Sequence, residues 1–176
     1  MLVRTNFLGV EETMDVSEEQ IFAFEPGLGG FEALRRYALI PEHDSPIEWL
    51  QSLDDPDVAF ALMEPFVVRA DYAFELTDAD ADALGMHEPQ DALVRCVLTL
   101  HEDPMKITAN MLAPLVLCRR THLARQVIVQ NADYPLRLPL FASLAEQGLV
   151  EEGLVEEGLV DGVGEVDLEV AMPATA

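Results

Sequence analysis

The chain is poor in basic residues, poor in cysteine and without a long apolar run. Ten lysines and arginines stand against 33 aspartates and glutamates, a formal net charge of -23 over 176 residues. Such a surface repels phosphates, which argues against direct binding to nucleic acid or to an anionic membrane. It suits a basic protein partner, or plain solubility. Cysteine occurs only at Cys96 and Cys118. Both sit in apolar runs and read as buried thiols of a reducing compartment, not as a disulfide. Their spacing fits no metal motif. No apolar stretch approaches the ~20 residues of a membrane span. Met1–Asn6 has no basic segment followed by an apolar one, so no secretory signal is read there. The expected location is the cytoplasm.

Composition changes near Leu144. All ten basic residues lie in 1–144. Beyond them stand Glu146, Glu151, Glu152, Glu156, Glu157, Asp161, Glu165, Asp167 and Glu169. The tail repeats Gly148-Leu149-Val150-Glu151-Glu152 as Gly153–Glu157 and again from Gly158. A period of five residues matches neither helix nor strand, and each repeat carries a glycine. We therefore expect one folded domain over 1–144 and a mostly disordered acidic tail over 145–176. The tail is either a segment that wraps a partner or slippage-prone low-complexity sequence. A chain of this length buries roughly 70% of its unfolded surface and folds without a metal or disulfide.

The first part reads as short strands between turns. Arg36–Ile40, Ile47–Leu53, Val58–Met63, Leu93–Leu100, Met111–Cys118 and Arg125–Val129 are apolar or alternate with period two. Glu42–Pro46 and His101–Pro104 are turns. The spacing predicts a mainly β domain, a small antiparallel barrel or sandwich. Helix is scarce. Thr77–Gly85 is the best candidate, with Thr77 or Asp78 as cap, aspartates at the positive end and Gly85 to close it. A second short turn is expected over Phe31–Arg36.

No motif points to catalysis. Gly27-Leu28-Gly29-Gly30 lacks the lysine and Ser/Thr of a phosphate loop and reads as a tight turn with positive φ. His43, His87, His101 and His122 show no metal-ligand spacing. Cys118 with His122 would form a nucleophile–base pair only if the turn between them folds back. No cofactor is expected. Asp54, Asp55 and Asp57, with Glu64 and Asp71, form an acidic series around the Val58–Met63 strand. It is a solvated turn, a cation site without the EF-hand pattern, or a negative patch that docks a basic partner. Asn110 and Gln126 are amides inside apolar strands. Either each satisfies an internal bulge or it offers an interface group. Lys106, Arg119, Arg120, Arg125 and Arg137 fit local carboxylates better than RNA.

Five segments together resemble the FliW family of bacterial flagellar assembly factors. They are Phe24–Glu32, Gln51–Phe60, Asp71–Leu76, Thr108–Pro114 and Gln126–Leu140, in the family's order. Within them Phe24-Glu25-Pro26-Gly27-Leu28-Gly29-Gly30-Phe31-Glu32 is similar to F-x-x-G-x-x-G-F-E, and Thr108-Ala109-Asn110-Met111-Leu112-Ala113-Pro114 to T-x-N-L-x-A-P. Two departures stand out: Glu64-Pro65-Phe66 replaces the usual N-P-(F/Y), and the acidic repeats have no counterpart. The resemblance implies a barrel-like protein without enzymatic activity, a cytoplasmic binder of flagellin. It also implies binding of CsrA, an RNA-binding translational repressor, so that flagellin and CsrA compete and flagellin synthesis is regulated. Partner contacts are expected among Asp54, Asp55, Asp57, Glu64, Asp71, Tyr72, Asn110 and Gln126. Phe31, Phe66 and Tyr72 are candidate apolar anchors or core. The alternative is a small β-barrel ligand-binding protein or hydrolase using Cys118/His122 or the Asp54–Asp57 turn.

Overall fold

The computed structural model describes residues 1–130 and 133–149. A hairpin of β1 (Leu2–Phe7) and β2 (Val10–Asp15) comes first. It is followed by β3 (Ile21–Phe24), β4 (Arg36–Pro41), β5 (Glu48–Ser52) and β6 (Ala59–Met63). Two short helices intervene, α1 (Pro65–Val68) and α2 (Asp78–Leu84). Then come β7 (Ala92–Thr99), β8 (Thr108–Ala109), β9 (Leu115–Cys118), β10 (Leu123–Gln126), β11 (Leu138–Pro139) and α3 (Leu140–Glu146).

Seven strands close on themselves in the order β7-β6-β5-β4-β3-β10-β9 and back to β7. Closure depends on β7, which is long enough to serve two neighbours. Its Ala92–Arg95 half pairs with β9, and Cys96–Val97 pairs with β6. All pairings are antiparallel except β3 with β10, where Leu123 faces Ala23. The mainly β, barrel-like domain expected from the sequence is what forms. A closed sheet leaves no long edge open to other chains.

Both faces of the strands are covered, so apolar residues stand at neighbouring positions, as in Tyr37–Ile40, Trp49–Leu50 and Phe60–Met63. Phe22, Phe24, Tyr37, Leu39, Leu50, Phe60, Leu62, Leu115 and Leu117 fill the barrel. The alternate positions point outward. Ala38, Ile40, Trp49, Ala61, Met63, Cys96 and Leu98 form a second core with Val3 of the hairpin, Val68 of α1 and Leu140, Phe141 and Leu144 of α3. Phe7 stacks on Trp49 at 4.9 Å between ring centroids. A third cluster joins Leu84 of α2 to Val116, Cys118 and Val127. Each large side chain so buried contributes roughly 1.5–3 kcal/mol.

Several boundaries differ from the sequence reading. The run Met111–Cys118 is strand only from Leu115, and the run Arg125–Val129 is strand over Leu123–Gln126. Asn110 accepts a hydrogen bond from the Ala113 N–H at 2.9 Å, which turns the chain there and delays the strand. The Thr77–Gly85 helix forms as expected. Thr77 Oγ1 accepts from the Asp80 N–H, and Gly85 closes the end at φ 61°. The last described helix, α3, runs through Glu146, and Gln147 donates to the Val68 carbonyl at 2.5 Å. The repeats from Val150 onward lie outside the described residues. Cys96 and Cys118 are free and buried, and burial pushes the Cys96 thiol up to about 12. Among the described residues no helix is long and apolar enough to cross a membrane, and no acidic, histidine or cysteine cluster has the form of a metal site.

Candidate functional site

The acidic turn is built first by the β5–β6 connection. Ser52 Oγ accepts from the N–H groups of Asp54 and Asp55 at 3.2 and 3.1 Å. This aims the Asp54 carboxylate at the chain entering β4. Its Oδ2 accepts from the N–H groups of Arg35 and Arg36 at 2.6 and 2.9 Å. Those two bonds hold the Asp54 carboxyl below its ordinary range. Asp55 Oδ1 accepts from the Asp57 N–H at 3.0 Å. Asp57 faces Asn6 of the hairpin at 3.4 Å. Asp54 and Asp55 thus shape the turn with their carboxylates, while Asp57 is exposed at its tip.

Glu64, Asp71 and Tyr72 belong to a different face. Glu64 occupies the N-cap of α1 without capping it. Its carboxylate lies 3.5 Å from Arg95 Nη1 instead. Arg95 points into the barrel mouth and also binds Glu48 through Nε and Nη2. Asp71 is exposed and accepts from Arg69 Nε at 2.7 Å, which lowers its carboxyl. Tyr72 is buried. Its hydroxyl donates to the Met111 carbonyl at 2.8 Å, and desolvation raises its phenol. Tyr134 grips the next residue twice. Its hydroxyl accepts from the Ala73 N–H at 2.9 Å and donates to the Ala73 carbonyl at 3.0 Å. Residues 70–77 therefore cross the barrel as an irregular strap, fixed by tyrosine hydroxyls.

Asn110 and Gln126 meet at a third place. Gln126 Nε2 donates to the Ala113 carbonyl at 3.3 Å, and its Oε1 accepts from the Gly29 N–H at 3.4 Å. Both amides satisfy irregular backbone. The Gly27–Gly30 turn beside them needs glycine for two distinct reasons. Gly30 has φ 84°, as the sequence reading expected. Gly27 does not have positive φ; it needs space. A Cβ there would stand 2.8 Å from the carbonyl oxygens of Glu32 and Leu34. The eight residues named from the sequence do not converge: they divide among the acidic turn (Asp54, Asp55, Asp57), the start of α1 (Glu64), the strap (Asp71, Tyr72) and the Ala113 junction (Asn110, Gln126). Cys118 and His122 do not form a catalytic pair either. Cys118 is fully buried, and His122 Nδ1 faces the Ile21 carbonyl at 3.0 Å.

Beside the strap lies a feature the sequence did not disclose, an open groove of about 640 Å³. One wall is the strap, with Tyr72, Phe74 and Leu76. The other is Met86–Pro89, after α2. Ala92, Val94 and Val116 of β7 and β9 complete it. Phe66 also lines the groove and is 47% exposed, against 3% for Tyr72. Phe31, in contrast, packs edge-on to Phe60 at 5.1 Å and belongs to the barrel. The groove joins residues far apart in sequence, so no local motif could have marked it. The nearby arginines are engaged. Arg125 pairs with Asp80 at 3.5 Å, Arg120 with Asp91 at 3.6 Å and Arg69 with Asp71.

Comparison with known proteins gives a consistent family. The family model described as FliW protein matches residues 8–140. Proteins named flagellar assembly factor FliW are similar over most of the domain. The one from Caldicellulosiruptor bescii is 36% identical over 131 residues, 74% of this chain and 86% of its own. The one from Thermotoga petrophila is 40% identical over 126 residues, 70% of this chain and 85% of its own. The one from Bacillus subtilis is 34% identical over 141 residues, 80% and 96% respectively. A crystal structure of the flagellar assembly factor FliW superimposes with a TM-score of 0.72 at 30% identity, covering 80% of this chain and 97% of that one.

Proposed function

The chain belongs to the FliW family of flagellar assembly factors, and we propose that it is a cytoplasmic binding protein without catalytic activity. Its partners in this reading are flagellin and a CsrA-type translational repressor. It holds the repressor away from flagellin mRNA until accumulating flagellin displaces it.

The observation that carries the reading is the family match across 8–140, the whole barrel, including the five matched segments. Charge supports it. At -23 the protein repels RNA itself but attracts a protein whose RNA-binding surface is basic. Polar side chains in the conspicuous motifs are spent on backbone, which fits a binding scaffold better than a reaction centre. Asp54, Asp55, Asp57, Glu64 and Asp71 offer the exposed or half-exposed carboxylates for such a partner.

The test is displacement. Repressor bound to labelled flagellin mRNA leader is released by adding the protein, and flagellin added afterwards restores the RNA complex. Failure of the protein to release RNA at any concentration would contradict the repressor half of the reading.

A further inference from the structure

We propose that the groove between the strap and the Met86–Pro89 loop is a peptide-docking site. Its occupant is a short segment of a protein partner that presents large apolar side chains with lysines or arginines beside them. This rests on the reading of the chain as a partner-binding protein, and it names the chemistry of one contact surface.

Three observations carry the assignment. The groove interior is apolar: Tyr72, Phe74, Leu76, Val94 and Val116 line it. Its charged lining residues are Glu75 and Glu88, both exposed, with no lysine or arginine among them. The next element, α2, adds exposed Asp78 and Asp82, and its one half-buried aspartate, Asp80, is the one that Arg125 neutralises. The field over the groove is thus negative, and it is not cancelled locally. Phe66 is the third observation. A phenylalanine 47% exposed in the lining of an apolar groove loses water contact when an apolar side chain enters. A second copy of this chain, which carries the same acidic rim, would meet like charge there.

The groove is also preformed. The Tyr72 hydroxyl on Met111, and the two Tyr134 bonds to Ala73, hold the strap without help from a ligand. A fixed wall lowers the ordering cost of binding.

The experiment uses the full chain and a fluorescein-labelled synthetic peptide of leucine and lysine, with leucines at helical spacing. Fluorescence anisotropy compares three proteins. The groove variant is Glu75→Lys/Glu88→Lys. The control, Glu11→Lys/Glu12→Lys on the exposed face of β2, changes net charge equally. The third is Phe66→Ala. We expect saturable binding to the unaltered protein. The groove variant and Phe66→Ala should each weaken it by about ten-fold, and the control by less than about two-fold. All these positions are exposed, so folding is retained and is checked by circular dichroism. Equal loss in the groove variant and the control overturns the proposal, because it would reduce the binding to net-charge attraction. No binding by the unaltered protein overturns it as well. Titrating flagellin in parallel separates the two readings. Flagellin binding unchanged by the groove variants leaves the family function standing and shows that flagellin docks elsewhere. Peptide binding without flagellin binding leaves the groove standing and removes that partner.

Discussion

Asn110 and Gln126 hold opposite sides of one residue. Asn110 Oδ1 accepts from the Ala113 N–H at 2.9 Å, and Gln126 Nε2 donates to the Ala113 carbonyl at 3.3 Å. Ala113 lies just before Pro114, which has no N–H to give, at the entry to β9. Both polar groups of that residue would otherwise lack a strand partner. Asn110→Ala and Gln126→Ala should each cost about 1 kcal/mol in urea unfolding. Because they act on the same residue, the double variant should depart from additivity by roughly 0.5 kcal/mol or more. Strict additivity would mean that Ala113 relaxes independently of them.

Gly27 and Gly29 make a contrasting pair. A Cβ at Gly27 meets backbone at 2.8 Å, whereas at Gly29 its nearest contact is the Gln126 amide oxygen at 3.5 Å. Gly27→Ala should lose about 1–3 kcal/mol through forced backbone movement. Gly29→Ala should stay within about 0.5 kcal/mol. Thermal melting of the two variants side by side decides it.

The pair Arg95 and Glu48 is nearly removed from water, with side chains 8% and 19% exposed. Glu48→Ala leaves the guanidinium with exposed Glu64 at 3.5 Å and the neutral Val94 carbonyl at 3.0 Å. The expected loss is about 3 kcal/mol. Replacing both, as Glu48→Leu/Arg95→Met, should recover a large part of that loss, since an apolar pair has no charge to desolvate. A double variant as unstable as the single one would show that the ion pair specifies the barrel mouth.

Asp54 ties stability to acid pH. Its folded carboxyl titrates below the ordinary value of 3.8 because the Arg35 and Arg36 N–H groups favour the charged form. A group depressed in this way stabilises the fold above the unfolded carboxyl's range. The contribution is lost as pH falls through the folded value. Asp54→Asn should therefore cost about 1 kcal/mol at neutral pH, the low end for a surface position. The gap to the unaltered protein should close below about pH 4. A gap independent of pH would locate the effect in shape and not in charge.

How far the sequence spoke can be judged element by element. The helix at Asp78–Leu84 was legible because Thr77, Asp80 and Gly85 supply local capping chemistry. The barrel strands were legible because Arg36–Pro41 and Ala59–Met63 are mostly continuous apolar runs and Ile47–Leu53 alternates with period two. The β1–β2 hairpin was hidden. Its turn places Leu8 at φ 55° and Gly9 at φ 81°, where Asn-Gly is the usual signal, and β2 is acidic and mostly exposed. The α3 helix was hidden by the change of composition that its own residues straddle. The amides were rightly singled out as needing partners, but their shared partner, Ala113, is a tertiary fact. The groove was invisible because Phe66, Met86, Val94 and Val116 converge only once the barrel closes.

The central claim is partner binding, and the direct measurement is isothermal titration of the protein with its own flagellin monomer at low and at high salt. The expected result is saturable one-to-one binding that weakens as salt rises, because a surface of net charge -23 contributes electrostatically to encounter. Absence of binding at both salts would contradict the account: the family fold would be present without this partner.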